Sequence, residues 1–130
     1  MEHSGPLNSE RFHALMTDLA AAWNVGDANT AAALFSVDAV YLDPAAKKFY
    51  RGRAVLRDLF DRTARRAPMT TTWRHVFFDE PSQTGAAEFT FHWGPQSYAG
   101  VAIVVLEAGL ISRWREYQVE ADNAFEPFSG

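Results

Sequence analysis

The chain has 130 residues, 48% of them hydrophobic, 14% aromatic and 22% charged, with a formal net charge of −4 and no cysteine. A chain this long and this apolar buries a core as one domain, which excludes a disordered chain, a coiled coil and a collagen-like repeat. The missing cysteines exclude a disulfide framework, a thiolate metal site and a cysteine nucleophile; the acidic balance argues against nucleic acid as a partner; and no apolar run reaches the ~18 residues of a membrane helix. The stretch Met1–Pro6 has neither the basic start nor the apolar run of a signal peptide, so a cytoplasmic protein is expected.

Residues 1–8 read as a flexible tail, 9–122 as the single domain and 123–130 as a C-terminal tail whose Phe125 and Phe128 are placed to fold back. From Ser9 the apolar positions Phe12, Leu15, Met16, Leu19 and Trp23 form the stripe of an amphipathic helix, which Asn8 or Ser9 can cap. Gly26 can end it in the left-handed conformation, and Asp27 can cap a second helix with an inner face of Ala31, Leu34 and Phe35. Ala39–Asp43 reads as a strand, with Tyr41 and Asp43 on one face, stopped by Pro44. A basic loop leads to Gly52. A third helix then carries Val55, Leu56, Leu59, Phe60 and Thr63 as far as Pro68.

Beyond Pro68 the period becomes two. Four strands are predicted, 70–78, 86–93, 98–107 and 110–120, joined by turn chemistry as an antiparallel meander. Helices followed by a meander make an α+β fold: a strongly curved, mainly antiparallel sheet over three helices, a cone whose inside is a natural apolar pocket. Eight of the twelve cations lie between Lys47 and Arg66. The wet face of a helix accounts for them; an anion-steering patch beside a pocket is the sharper alternative.

Three stretches resemble the nuclear-transport-factor-2-like superfamily, which includes SnoaL-like polyketide cyclases, ketosteroid isomerases and limonene epoxide hydrolases. They are Trp23–Asp27, then Ala33–Pro44 with Tyr50–Val55, then Gly109–Tyr117. The likeness runs from about residue 9 to residue 120 and implies the cone-shaped α+β barrel. It also implies residue roles. Asp43 falls where ketosteroid isomerases carry the proton-shuttling base before a proline. The oxyanion-hole positions of those enzymes fall on Leu19 and near Ala102–Ile103, which are apolar, so their mechanism is not implied. In limonene epoxide hydrolase the acid after Trp-Arg in the last strand activates water. Glu116 matches it, and Tyr41 and Asp43 match the water-positioning pair. The remaining Arg and Asp of that enzyme have no counterpart in Glu88–Trp93. Scytalone dehydratase and SnoaL-like cyclases use a strand histidine with an acid, a role His75 could take.

The residues themselves agree in part. Strand alternation puts Trp114, Glu116 and Gln118 on one face and Arg113, Arg115 and Tyr117 on the other; burying two arginines is expensive, so the Glu116 face is the pocket face. Alternation also groups His75 with Trp73 and Phe77, and turns His92 away. The bland alternatives are turn initiation for Asp43, an ion pair for Glu116 and a hydrogen-bonded core position for His75. Trp23, Phe60, Trp73, Phe89, Phe91, Trp93, Tyr98 and Trp114 converge as the expected ligand-binding surface. The expectation is a cofactor-free, metal-free acid–base enzyme (isomerase, cyclase, dehydratase or hydrolase) acting on a small hydrophobic molecule, with Asp43, Glu116, Tyr41 and His75 as catalytic residues. The alternatives are a non-catalytic small-molecule-binding module and a structural dimerisation domain. A homodimer through the outer sheet face around Val101, Ile103 and Val105 is expected, with neither nucleic acid nor membrane as partner.

Overall fold

The computed structural model describes residues 5–121, and the expected fold-back of Phe125 and Phe128 lies outside them. Its elements run α1 (Ser9–Asn24), α2 (Ala28–Ala33), β1 (Phe35–Asp43), β2 (Lys48–Arg51), α3 (Arg53–Arg66), β3 (Met69–Asp79), β4 (Thr84–Trp93), β5 (Gln96–Glu107) and β6 (Leu110–Glu120). The local signals act as their chemistry demands. Asn8 caps α1 by accepting from the Arg11 amide at 2.8 Å, and Asp27 caps α2 through the Thr30 amide at 3.1 Å. Gly26 between them takes φ +75°, a backbone conformation that costs other residues more. Ordering begins before Ser9: Leu7 is buried, and its peptide N–H and C=O are both held by the side-chain amide of Gln83 at 2.9 Å.

The six strands form one sheet in the order β2-β1-β6-β5-β4-β3. The predicted meander is present, β3, β4, β5 and β6 pairing antiparallel in sequence. Two features depart from the expected strands. Phe35 belongs to β1, opposite Ile111, and not to α2; the helix stops at Ala33 because the Leu34 carbonyl accepts from the Ile111 amide at 2.9 Å, and pairing with β6 outweighs one further helical residue. The basic loop contains β2, an edge strand paired antiparallel with β1 around a turn in which Asp43 accepts from the Ala46 amide. Lys48-Phe49-Tyr50-Arg51 lacks the apolar alternation of a half-buried strand because its two aromatics are adjacent, and Phe49 is exposed.

β1 pairs with β6 in parallel, which joins the first and last strands in the middle of the sheet. α1 packs on β3, α3 on β1, and α2 lies against both other helices. Phe12, Met16, Leu19, Phe35, Leu56 and Ile111 are fully enclosed between these layers. Val55, which the helical stripe placed inward, is exposed. Among the described residues no helix is long and apolar enough to cross a membrane.

Candidate active site

Between sheet and helices lies a cavity of about 440 Å³. All eight aromatic residues expected at a ligand surface (Trp23, Phe60, Trp73, Phe89, Phe91, Trp93, Tyr98 and Trp114) line it, together with Tyr41, Asp43 and Glu116. The indoles are fixed by their polar edges as well as by packing. Trp73 donates to the Met16 carbonyl at 2.7 Å, Trp93 to the Thr63 carbonyl at 3.0 Å and Trp114 to Glu116 at 2.9 Å. Trp23 is the exception; its buried Nε1 has no hydrogen-bond partner among the described residues. Its ring stands edge-on to Phe60 and Trp114.

Glu116 sits at the centre of the polar chemistry, and strand register puts it there. Tyr41 and Trp114 are paired residues of the parallel β1–β6 ladder, and their rings stack at 5.7 Å and 5°. Glu116 is two residues beyond Trp114 and therefore on the same face. The Tyr41 hydroxyl and the Trp114 Nε1–H both donate to Glu116 Oε1 at 2.9 Å. The second carboxyl oxygen, Oε2, receives neither, and the accessible part of Glu116 faces the cavity. Burial among aromatic rings raises its pKa from 4.5 to about 7; the bonds from Trp114 and Tyr41 hold it down, and nearby Asp43 pushes it up. The Tyr41 hydroxyl is pushed well above 10, first by burial and then by Glu116 beside it. Glu116 is thus a carboxyl able to give or take a proton near neutrality, and Tyr41 keeps its own proton as a fixed donor.

Asp43 does two things. It lines the cavity and also receives the Ala46 amide, so it takes the turn-initiating role weighed for it as well. Leu42 pairs with Arg115, so Asp43 and Glu116 stand side by side on neighbouring strands.

His75 is not brought to this site. The β3–β4 register shifts between Trp73 and His75, so the strict alternation that grouped them fails. His75 pairs with Glu88, holds its Oε1 through Nδ1 at 2.8 Å and stacks on the exposed Phe77. His92 lies outside the cavity as expected, bonded to Ser97. Sequence reasoning did not propose Lys48, Tyr50, Met69, Thr71 or Gln118, all of which line the cavity. Gln118 was already on the Glu116 face by alternation; Lys48 and Tyr50 needed β2 to be recognised as a strand.

A cone-shaped α+β domain with an acid in an aromatic hollow defines the structural class. The model of the SnoaL-like domain matches residues 16–114, and the chain belongs to that family. Among solved structures it resembles a candidate ketosteroid isomerase from Kribbella flavida (22% identity, 88% of this chain and 82% of the other, TM-score 0.75). It also resembles a LEH-like epoxide hydrolase from M. tuberculosis (18% identity, 92% and 88%, TM-score 0.73). A third is a protein of unknown function with a cystatin-like fold from Methylobium petroleophilum (18% identity, 91% and 80%, TM-score 0.79). At these identities the likeness establishes the fold. No curated protein matches the chain.

Proposed function

We propose that the protein is a cofactor-free enzyme that moves a proton on a small, flat hydrophobic molecule, with Glu116 as the shuttle. One observation carries this reading. A carboxyl with a pKa of about 7 faces an aromatic cavity, with Oε1 held by Tyr41 and Trp114 and Oε2 left for the substrate. The ionised Oε2 takes a proton from an activated C–H or from water and returns it to a second atom of the bound molecule. The two transfers together leave the protein unchanged. Tyr41 and Trp114 stabilise the carboxylate while it lasts, and Asp43 lies at the edge of the same site. Isomerase, cyclase, dehydratase and hydrolase chemistry all begin with such a transfer. The relatives described as a candidate ketosteroid isomerase and an epoxide hydrolase belong to two of those classes.

Hydrogen–deuterium exchange tests the reading. A panel of flat hydrophobic ketones is incubated with protein in D2O, and α-deuteration is followed by NMR. Wild type should accelerate exchange of at least one, and Glu116→Gln should lose on the order of 100-fold of that rate. Binding without exchange, with a Glu116 titration near 4.5, would favour a non-catalytic binding module.

We infer that the partner is a second copy of the chain, meeting it across the outer sheet face. Tyr117 and Val119 on β6 and Phe77 on β3 are exposed there, flanking the half-buried Val101, Ile103 and Val105 of β5. Light scattering at micromolar concentration should give twice the chain mass, and Val119→Asp should reduce it to one.

A further inference from the structure

The cavity has one feature that proton transfer at Glu116 does not use. Lys48 lines it, and no other lysine or arginine does among the described residues. Its position follows from register. Lys48 is paired with Asp43 in the β1–β2 hairpin, and Asp43 stands beside Glu116 on β6. One transverse row of the sheet therefore reads Lys48, Asp43, Glu116 on three adjacent strands. At the usual strand spacing the Lys48 backbone is about 10 Å from that of Glu116.

The row is polarised. The protonatable group sits deep, hydrogen-bonded and desolvated, whereas Lys48 stands at the exposed edge strand. Asp43, its cross-strand neighbour, spends Oδ1 on the Ala46 amide, and no ion pair joins Asp43 to Lys48 within 4 Å among the described residues. The cation at the cavity edge is thus not tied to the nearest carboxylate. On the helix side, the Arg66 guanidinium lies 5.3 Å over the ring of Trp93, which lines the cavity, although Arg66 itself does not line it. Both belong to the cation-rich stretch Lys47–Arg66, of which Arg62, Arg65 and Arg66 lie exposed on α3.

We propose that Lys48 is a specificity-determining residue and that the cavity takes an amphipathic anion, a flat aromatic or alicyclic body with an ionised group at the Lys48 edge. This inference rests on the proton-transfer reading of the cavity and narrows its substrate class. The anionic group would lie about two strand spacings from the atom that exchanges its proton with Glu116. An anion held there is steered by the surrounding cations and fixed in one orientation by Lys48, so that the reacting end enters first.

Isothermal titration calorimetry with 2-naphthoate and its uncharged near-isostere 2-naphthamide tests the proposal. The measurement is made at pH 6, where the ligand carboxylate is ionised and Glu116 keeps its proton. Wild type should bind naphthoate about fivefold or more tightly than naphthamide, the ratio expected of one partly exposed ion pair. Lys48→Met should bring that ratio to about one. Lys48→Arg should restore it, and Glu116→Gln should leave it in place. Lys48 is exposed, so these variants are expected to fold. Equal affinity for the two compounds in wild type, or a preference that survives Lys48→Met, overturns the inference and leaves the proton-transfer reading standing. Failure of both compounds to bind defeats the cavity reading, and this inference with it.

Discussion

Glu116→Gln separates a buried, titrating carboxyl from an ordinary polar side chain. The amide is nearly isosteric, and its carbonyl oxygen can still accept from Tyr41 and Trp114, so the packing of the site is kept. The proton inventory is what changes. In the folded protein Glu116 titrates at about 7, against 4.5 for its ordinary value. Between those pH values the folded state holds more protons than the unfolded state, so raising the pH removes stability. The loss begins near pH 4.5 and is fully felt above 7, where it amounts to about 3 kcal/mol. Glutamine has no such proton to lose. Wild type and variant should therefore melt at similar temperatures at pH 4.5, and the variant should melt about 10 °C higher at pH 8, taking about 3–5 °C per kcal/mol for a domain of this size. Circular dichroism melts at pH 4.5, 6 and 8 measure this directly, with the 13C shift of the Glu116 carboxyl as a second readout. A melting difference independent of pH would mean that Glu116 is not desolvated in the folded protein. The proton-transfer reading would then have no physical basis.

Four further outcomes follow from the same structure. Tyr41→Phe removes a donor that holds the Glu116 pKa down, so the carboxyl midpoint should move above 7 by roughly one unit in an NMR titration. Gly85→Ala puts a methyl group onto the Phe12 ring and 2.8 Å from the Phe77 carbonyl oxygen, beside the Phe12–Phe78 stack; urea unfolding should show a loss of about 1–3 kcal/mol. Asn24→Ala breaks the two bonds, 2.7 and 3.1 Å, by which that amide holds the Thr71 peptide, and should cost about 1–3 kcal/mol in the same assay. His75→Ala should leave any proton-exchange activity within about twofold of wild type, because the β3 register shift keeps His75 away from the cavity.

The helices and meander were legible because their signals are local. Asn8 and Asp27 cap, Gly26 breaks, and the 3.6 and 2.0 periods change at Pro68. Placing Glu116 with Trp114 on the cavity face needed only alternation within β6. What the sequence hid is non-local. The parallel β1–β6 ladder brings Tyr41 to Glu116, a hydrogen bond between residues 75 positions apart. β2 is an edge strand held by its partner and turn, not by a buried face of its own, and so reads as loop. Alternation fails to place His75 because one shift of register after Trp73 breaks the count and separates the two residues.

The two donors at Glu116 Oε1 belong to the wall of the hollow and not to the acid itself. Tyr41 and Trp114 are set by ladder pairing and by stacking on each other, and their bonds to Glu116 ask only for an oxygen acceptor at that point. The wall is in effect a socket, built to seat whichever oxygen acceptor is presented to it. A lineage could exchange the acid for an amide, shorten it to aspartate, or let a ligand's own carbonyl occupy the seat, and so change the chemistry without rebuilding the scaffold.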